Sequence, residues 1–378
     1  MRVYEISKPK DVEEYLRELG VEGTGIKIMA KKSELVFIKI KELKTPAVNI
    51  LKQDALSIGA ELAVPSGVIL CEKEYYDCLL IGTKRQLERL AKKELAQPFG
   101  LKSVAKVLKS LLVSSKFELK IMGVINANND SFFSGSRFVG KEAVKQIEQM
   151  IADGAKIIDI GGVSSRPGSK AVSTSQELSR VKDILDIVKE KKLYEKATFS
   201  IDSYSPEVVE YALNCGFKII NDITGARDEK LIKLAIKYEA KLCIMHMQGT
   251  PDNMQKEPKY DCVVSEVDQF FAKQIVKCEE LGLNREDIIL DVGIGFGKTL
   301  EHNLELLKAH QHFTHFGCEL LIGASRKSLI DMITPTPTEQ RLPGTLIIHT
   351  KAVERGASIV RCHDVKEHYQ VFKVWERL

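Results

Sequence analysis

From Leu119 onward, short apolar runs alternate with helical segments of about ten to twenty residues, the pattern of repeated parallel βα units. The predicted strands are Leu119–Asn126, Lys156–Gly161, Thr198–Asp202, Lys218–Asn221, Lys241–His246, Ile288–Asp291, Glu319–Gly323 and Ser358–Arg361. The predicted helices are Lys141–Asp153, Ser175–Lys191, Pro206–Asn214, Asp228–Tyr238, Val263–Leu281, Glu301–His310, Arg341–Arg355 and Val365–Leu378. Eight of each in about 260 residues predict a (β/α)8 TIM barrel, with an open doubly wound sheet as the alternative topology.

The residues before the barrel carry a less regular pattern. The elements predicted there are a strand Val3–Ile6, a helix Pro9–Gly20, a strand Glu34–Ile40, a helix Ala47–Gly59, a strand Asp77–Ile81 and a helix Lys84–Leu95. No chemical motif stands out among them. Residues 1–118 are therefore predicted to form a small additional N-terminal α/β domain of unknown role, and residues 119–378 to form the barrel.

Composition and charge narrow the functional class. The chain has 378 residues, is 44% hydrophobic and 29% charged, and carries a formal charge of +4 from 56 basic and 52 acidic residues. This is an ordinary globular composition, and the basic residues form no block or aromatic-interleaved stripe, so no nucleic-acid partner is expected. No apolar run approaches the roughly 18 residues of a membrane span, so no membrane partner is expected either.

The compartment is inferred from the cysteines and the first residues. The eight cysteines show no CxxC pair and lie mostly in apolar surroundings, which indicates buried, reduced thiols rather than disulfides or a zinc site. The N-terminus leads into a charged amphipathic segment and lacks the apolar core of a signal peptide. A cytoplasmic location is the expectation.

Polar residues follow every predicted strand, at the end where a barrel binds its ligands. In strand order they are Asn126, Asp159, Asp202, Asn221 with Asp222, His246, Asp291, Ser325 with Arg326 and Lys327, and Arg361 with His363 and Asp364. One Asp at a strand end commonly caps the next helix, and Asp202 or Asp222 could each serve in that way. A complete ring of such residues instead indicates a binding site.

The ring contains two kinds of group. Asp202, Asn221 and Asp291 offer acceptors and amides suited to a flat heterocycle rich in N–H donors, which would offset the desolvation of a buried carboxylate. The second kind suits anionic oxygens and consists of Asn126, Arg326, Lys327, Arg361 and His363. Arg361 and His363 are two residues apart, so both would lie on one face of a strand end as a phosphate clamp.

The sixth strand leads into a stretch with three glycines at alternate positions, from Asp291 to Lys298. Such glycines allow a turn with positive φ or a close approach of backbone to a flat ligand. A strand followed by a flexible turn is the simpler interpretation of these eight residues alone. The other strand-end residues favour the close approach of backbone to a flat ligand.

Residues 119–378 resemble dihydropteroate synthase, the pterin-binding barrel enzyme of folate biosynthesis. The matching stretches, in order, are Met122 to Asn126 with Asp130 to Phe132, Asp159 to Gly162 with Ser165 to Gly168, Ser200 to Ser203, Ile220 to Ile223, Met245 to Gly249, Gly293 to Lys298, Ser325 to Ser328, and Arg361 to Asp364. The resemblance implies a magnesium-dependent transferase that joins (7,8-dihydropterin-6-yl)methyl diphosphate to p-aminobenzoate, giving 7,8-dihydropteroate and pyrophosphate by dissociative substitution. It also implies a homodimer and a target for sulfonamides.

The resemblance assigns roles residue by residue. It implies pterin binding by Asp202, Asn221, Met245, Asp291, Gly295, Phe296 and Lys327. It implies diphosphate binding by Asn126, Arg361 and His363, with Asn126 also near Mg²⁺. It implies aminobenzoate binding by Phe132, Ser165, Arg166, Pro167 and Ser325. The catalytic residues it implies are Asp130, Arg166, Lys327, Arg361 and His363.

Three stretches depart from the family pattern. In the first loop Ala127-Asn128-Asn129 replaces Val-Thr-Pro, so the rigidity of a proline is lost there. In the second loop Val163-Ser164-Ser165 replaces Glu-Ser-Thr, and Ser165 keeps a hydroxyl. Val292 stands where the family usually has proline. Two alternatives stay open: a pterin-dependent methyltransferase on the same type of barrel, and a pterin-binding protein without catalytic turnover.

Overall fold

The chain folds into two units, divided between residues 114 and 115. The computed structural model describes residues 3–4, 11–113, 117–127, 141–163 and 172–378. All eight cysteines are free, and six of them are buried. Within the described parts of the chain, no helix is both long enough and apolar enough to span a bilayer.

The N-terminal unit contains a three-stranded antiparallel sheet in the order β1-β3-β2. Its helices and strands are α1 (Val12–Glu18), α2 (Gly23–Ser33), β1 (Leu35–Lys44), α3 (Thr45–Ser57), β2 (Glu61–Ala63), β3 (Tyr75–Thr83), α4 (Lys84–Glu94) and α5 (Leu101–Leu111), with a 3-10 turn at Ser66–Val68. Its core is made of leucines from both layers, among them Leu51 of α3, Leu80 of β3 and Leu87 of α4. The unit therefore has its own hydrophobic core.

The predictions for this unit are partly confirmed. The strands Glu34–Ile40 and Asp77–Ile81 correspond to β1 and β3, and the helices Ala47–Gly59 and Lys84–Leu95 correspond to α3 and α4. The helix predicted over Pro9–Gly20 is shorter, since α1 begins after Asp11, whose carboxylate caps the first turn. Val3 and Tyr4 lie in no strand, and the rest of the strand predicted at Val3–Ile6 lies outside the described residues.

The second unit is a closed barrel of eight parallel strands in chain order, as predicted, and not an open sheet. The strands are β4 (Lys120–Asn126), β5 (Ile157–Gly161), β6 (Thr198–Asp202), β7 (Ile219–Asp222), β8 (Lys241–Met245), β9 (Ile288–Asp291), β10 (Glu319–Ile322) and β11 (Ile359–Cys362). The helices are α6 (Lys141–Ala152), α7 (Thr174–Glu190), α8 (Pro206–Asn214), α9 (Glu229–Tyr238), α10 (Val263–Leu281), α11 (Leu300–Lys308), α12 (Ser328–Ile333), α13 (Leu342–Glu354) and α14 (Val365–Trp375). Further 3-10 turns span Leu193–Glu195, Arg285–Asp287, His310–Phe316 and Thr338–Gln340.

Most barrel elements end within two residues of their predicted bounds. Two differences are described here. The helix predicted at Glu301–His310 ends at Lys308, and the 3-10 turn that follows ends at Gly317, which has a φ of 72°. The short helix α12 was not predicted, because its six residues are too few to show a helical period.

The barrel interior is filled in layers, because alternate residues of each strand point inward. The middle layer is apolar and consists of Met122, Ile157, Ile219, Cys243, Ile289, Leu321 and Ile359. Toward the amino ends of the strands, the buried carboxylate of Glu319 pairs with Lys120 and Lys241 at 2.7 Å each. Two residues above the apolar layer, at the carboxyl ends, four strands place a polar residue at the inward position: Asp159, Asn221, Asp291 and Arg361. That layer forms the floor of the candidate site.

Candidate active site

Arg361 of β11 reaches across the top of the closed barrel to carboxylates of β5 and β6. Its Nε donates to Oδ2 of Asp159 and its Nη2 donates to Oδ2 of Asp202, both at 2.7 Å. Arg361 and Asp159 each lie two positions after a residue of the apolar layer, and Asp202 ends the strand next to Asp159. All three side chains therefore point inward. A guanidinium has five N–H donors in a planar fork, so it can bind both carboxylates and still present donors to a ligand.

Asp159 belongs to the ring of strand-end residues found in the sequence, but no binding or catalytic role was predicted for it. It is fully buried, and Asn221 donates from Nδ2 to its Oδ2 at 3.1 Å. Its other oxygen, Oδ1, has no hydrogen-bond partner within the described ranges. Its position in the strand could have identified it. Asp159 lies two residues before the end of β5, in register with Ser200, and points inward at the level of the polar layer.

Asp202 does not cap helix α8. The residue before that helix is Ser205, and Pro206 stands at its first position. Burial raises the pKa of Asp202 to about 7, even though the charge of Arg361 acts in the opposite direction. Its carboxylate thus belongs to the site floor, beside Asn221 in the neighbouring strand.

Asp291 ends β9 and holds the start of the glycine stretch. Its Oδ1 accepts the backbone N–H of Gly293 at 2.8 Å. Burial raises the pKa of Asp291, while Lys327 and the Gly293 N–H oppose that rise. Gly293 has a φ of 67°, and a Cβ there would overlap the carbonyl oxygen of His246, so only glycine fits.

Lys298 fixes the far end of the same stretch. Its buried ammonium donates to three carbonyl oxygens, those of His246 and Gly293 at 3.1 Å and of Phe296 at 2.9 Å. Burial lowers the pKa of Lys298 to about 7. This lysine therefore shapes the loop as a scaffold, a role that the sequence motif alone did not reveal.

The glycine stretch presents an apolar wall. Phe296 belongs to a buried cluster with Ile223, Met245, Met247 and Met254. The ammonium of Lys327 lies 4.5 Å from the centroid of the Phe296 ring and donates to the carbonyl of Ile294 at 2.5 Å. Burial lowers the pKa of Lys327 to about 8, against the attraction of Asp291. Three predicted pterin-binding residues, Met245, Phe296 and Lys327, are thus brought together beside Asp291.

His363 is bound to the loop after β10. Its Nδ1 lies 2.8 Å from Oγ of Ser325, and the same Oγ accepts the His363 backbone N–H at 3.3 Å. Burial, together with the nearby charge of Arg361, lowers the pKa of His363 to about 3. The imidazole is therefore neutral at physiological pH, and it would contribute an N–H donor rather than a positive charge to an anion.

Arg326 is held within the fold by its partners, and its predicted contact with anionic oxygens stays a prediction. It donates from Nε and Nη2 to the two carboxylate oxygens of Asp364 at 2.9 and 2.7 Å, and from Nη1 to the carbonyls of Thr338 and Glu339. Asp222 has a structural role. It accepts from the backbone of Thr224 and Ala226 at 2.7 Å each and so caps the turn after β7.

Two buried histidines connect the loops after β10 and β11. The backbone carbonyl of Asp364 can only accept, so His368 donates to it from Nδ1 at 2.6 Å and must accept at Nε2. His349 then donates from Nδ1 to that nitrogen at 2.8 Å, and its Nε2 accepts the Ala324 N–H at 3.0 Å. Burial lowers the pKa of both rings, which agrees with this neutral arrangement.

The remaining predicted residues lie at the end of β4, in the glycine stretch and in the first two loops. Asn126 is the last residue of β4 and is half-buried at the rim of the site. Gly295, with a φ of 82°, lies in the glycine stretch, where Asn303 accepts its N–H at 2.7 Å. The aminobenzoate and loop residues outside the described residues are Asp130, Phe132, Ser165, Arg166 and Pro167.

Comparison with known proteins relates the barrel to a family. Residues 122–363 match the family described as pterin binding enzyme. A bifunctional dihydropteroate synthase/dihydropteroate reductase of Helicobacter pylori is 40% identical over 98% of this chain and 97% of its own length. A dihydropteroate synthase of Escherichia coli is 40% identical over 68% of this chain and 90% of its own length. The crystal structure of Yersinia pestis dihydropteroate synthase with a sulfonamide drug complex superposes with a TM-score of 0.64 at 35% identity, covering 69% of this chain and 93% of that one.

Proposed function

Because this chain belongs to the dihydropteroate synthases of the pterin-binding enzyme family, we propose that its barrel joins a dihydropterin methyl diphosphate to p-aminobenzoate. The products are dihydropteroate, in folate biosynthesis, and pyrophosphate. The observation that supports this most strongly is the polar floor at the strand ends, where Arg361 binds Asp159 and Asp202 beside Asp291 and Lys327.

The pterin would lie on this floor with its plane against the apolar cluster around Phe296. The ring edge carries N–H and amino donors, and Asp291 and Asp202 supply buried acceptors for them. Asn221 can both donate and accept, and the ammonium of Lys327 suits the ring carbonyl. A flat ring against Met245 and Phe296 would bury one face there, while its polar edge meets these partners.

The diphosphate would lie toward Arg361 and His363. Arg361 stays charged, because Asp159 and Asp202 offset its burial and hold its pKa above the ordinary value for arginine. A preorganised guanidinium stabilises charge as it develops on the departing oxygen. The pterin delocalises the positive charge left on its methylene, and the arylamine then attacks that carbon. No covalent enzyme intermediate is required.

Magnesium fits the residues at the rim of β4. Mg²⁺ prefers hard oxygen ligands and commonly binds one or two protein groups together with substrate phosphates. The half-buried Asn126 offers an amide oxygen at the strand end. We propose that Asn126 holds the ion, which would neutralise charge on the diphosphate when bound.

The aminobenzoate would approach from the loops after β4, β5 and β10. Ser325 is held by His363 and supports the carboxylate end of this subsite. Its other proposed residues are Phe132, Ser165, Arg166 and Pro167, with Asp130 of the first loop as a catalytic residue. The Yersinia pestis enzyme was solved with a sulfonamide, and we propose that such analogues of the arylamine bind this chain in the same subsite.

The test is product formation by the purified protein. The pterin methyl diphosphate, p-aminobenzoate and Mg²⁺ are supplied together, and dihydropteroate is quantified by chromatography. Tight binding of the diphosphate without bond cleavage would instead identify a pterin-binding protein without turnover. Methyl transfer from a methylated folate to a corrinoid would identify a pterin-dependent methyltransferase.

We also propose a second activity, the reduction of dihydropteroate. The Helicobacter pylori relative is named as a dihydropteroate reductase as well as a synthase, and it aligns with 98% of this chain, residues of the N-terminal unit included. Reduction adds a hydride and a proton across the remaining C=N bond of the reduced ring. The hydride requires a two-electron donor, of which reduced nicotinamides and flavins are the common biological classes.

The reductase test supplies dihydropteroate with each of these donors in turn. The full chain should form tetrahydropteroate, and a chain lacking residues 1–114 should keep synthase activity but lose this reduction. Absence of tetrahydropteroate with both donors would contradict the second activity and leave the synthase assignment unaffected.

We further propose that the enzyme is a cytoplasmic homodimer. The eight free cysteines support a reducing compartment, and the dimer follows from the family resemblance. Light scattering on the purified chain should give twice the 42.4 kDa of one chain.

A further inference from the structure

Outside the pterin site, three ligand-type side chains converge on the outer surface of the barrel. Asp268 lies in the second turn of α10, while His312 and His315 lie in the 3-10 turn His310–Phe316. Oδ1 of Asp268 is 2.9 Å from Nε2 of His312 and 2.6 Å from Nε2 of His315. These three atoms all lie within 4.8 Å of one another.

We propose that Asp268, His312 and His315 form a binding site for a divalent transition-metal ion, of which Zn²⁺ is the best match. Two imidazoles and one carboxylate are the ligand set of three-residue zinc sites, in which water completes the tetrahedron. Hard ions such as Mg²⁺ and Ca²⁺ prefer all-oxygen ligands, so this site is chemically different from the one proposed at Asn126.

The distances fit a small adjustment on metal binding. Zn–N and Zn–O bonds of about 2.0 to 2.2 Å at tetrahedral angles place neighbouring ligand atoms about 3.4 Å apart. The two separations from Asp268 are 2.9 and 2.6 Å, so each would widen by less than about 1 Å. The ion would replace the two imidazole protons that now share one carboxylate oxygen.

The protein backbone around the trio is firmly anchored. Phe271, one turn after Asp268, packs edge-on against Phe313 and Phe316 at centroid distances of 5.7 and 6.1 Å. Phe313 directly follows His312, and Phe316 directly follows His315. The ligands are therefore presented by two segments that are already packed together, which lowers the entropic cost of binding an ion.

The site is open enough to be loaded from solution. The side chains of Asp268, His312 and His315 are 27%, 28% and 13% exposed. Burial opposes ionisation of Asp268, but the hydrogen bonds from both imidazoles outweigh it and hold its pKa below the ordinary value. A carboxylate ligand is thus already ionised. His310, in the same turn, faces the carbonyl of Arg355 instead.

The site lies apart from the catalytic floor. His315 is four residues before β10, near the amino end of that strand, whereas ligands of the synthase bind at the carboxyl ends. An ion here would tie α10 to the segment before β10. Its effect would be on stability, since a ligand that binds only the folded state stabilises it by mass action.

The test uses the full chain, freed of metal with a chelator, in a Cys71→Ser background that removes the exposed thiol. Titration with Co²⁺ should give one equivalent bound and a visible d–d band typical of four- or five-coordinate cobalt. Zn²⁺ should displace it and raise the unfolding temperature. His312→Gln combined with His315→Gln should weaken Zn²⁺ binding at least 100-fold, and Asp268→Asn at least 10-fold.

A matched control is Glu280→Gln, which removes an exposed carboxylate from the same helix. It should leave Zn²⁺ affinity unchanged, and pyrophosphate release with Mg²⁺ should be the same in all these variants. Equal affinity of the histidine double variant and the control, or no visible cobalt band in the unsubstituted trio, would overturn the proposal. Neither result would affect the synthase assignment.

Discussion

At the scale of single residues, the site depends on buried carboxylates that are only partly matched by protein partners. Asp159, Asp202 and Asp291 lie at the strand ends, and two of them share one arginine. An unmatched buried charge is costly, so such a floor is stable only if a ligand or a cation completes it. A ligand rich in N–H donors would do so, and the proposed pterin edge is such a ligand.

Asp291→Asn should weaken pterin binding by at least about 100-fold. The substitution keeps the shape but places an NH₂ group against ring N–H donors, and a lost hydrogen bond to a charged group costs roughly 1.5 to 3 kcal/mol before the mismatch is added. Calorimetric titration with the pterin methyl diphosphate measures this directly. Asp183→Asn, on the exposed face of α7, is the control and should bind as before. Unchanged affinity of Asp291→Asn would remove this residue from the pocket floor.

The pH dependence of the reaction should show the titration of Lys327. Its pKa is lowered to about 8, so its ammonium form is lost as the pH rises through that value. Above pH 8, kcat/KM should therefore fall about tenfold per pH unit. Lys327→Arg keeps a charge at all accessible pH values, so its profile should lack this decline even if its activity is lower. An identical alkaline midpoint in both proteins would show that another group titrates.

At the scale of elements, the loop after β9 is shaped by contacts that only its own residues can make. Lys298 binds three carbonyls across the loop, and Gly293 packs directly on the backbone that follows β8. The loops after β10 and β11 are joined in a similar way by His349 and His368. Hydrogen bonds between these loops thus hold the site in place.

Gly293→Ala should destabilise the barrel by about 3 to 4 kcal/mol, since positive φ costs 1 to 2 kcal/mol and the overlap with the His246 carbonyl adds a further overpacking cost. Gly295→Ala is the matched control. Its φ is also positive, but its nearest new contact is the flexible Cδ of Lys327 at 3.4 Å, so about 1 to 2 kcal/mol is expected. Urea unfolding followed by Trp375, the chain's single tryptophan and part of α14, measures both. Equal losses would contradict the close packing of Gly293.

His349→Phe should cost about 2 to 4 kcal/mol, because it leaves the buried Ala324 N–H without an acceptor and His368 Nε2 without a donor. It should also raise the KM for the pterin substrate, since the loop holding Ser325 and Lys327 loses its anchor. The control is Lys351→Gln, an exposed change in the same helix that should stay within about 0.5 kcal/mol. Steady-state kinetics and the same fluorescence transition give both readouts. If His349→Phe were as stable as the control, the hydrogen bonds of His349 would not contribute to the stability of the barrel.

At the scale of the whole molecule, the barrel can be predicted from the sequence because the patterns that indicate its strands and helices are local. Each strand shows an apolar run and each helix a 3.6-residue period, and the polar residue after each strand marks the binding end. Asp202, Asn221 and Asp291 could be found in this way. The family motifs then distinguished a pterin site from other barrel sites.

The parts that sequence reasoning missed depend on contacts between distant segments. Arg361 binds Asp159 across 202 positions, because barrel closure places the eighth strand beside the first. Arg326 pairs with Asp364, 38 positions away, and nothing in the sequence around Arg326 indicates that partner. The proposed metal site of Asp268, His312 and His315 likewise joins α10 to a turn 44 positions later. Such pairings follow only from the closed fold.

The central claim is that the strand-end floor of residues 115–378 carries out the synthase reaction on its own. That unit has a separate hydrophobic core, and the Escherichia coli enzyme aligns over 90% of its length with only 68% of this chain. The most direct measurement is pyrophosphate release by residues 115–378 and by the full chain, with pterin methyl diphosphate, p-aminobenzoate and Mg²⁺. Release from both, one pyrophosphate per dihydropteroate and dependent on p-aminobenzoate, is the predicted result. Release from the full chain but not from residues 115–378, or release from neither with the pterin substrate bound but intact, would contradict it.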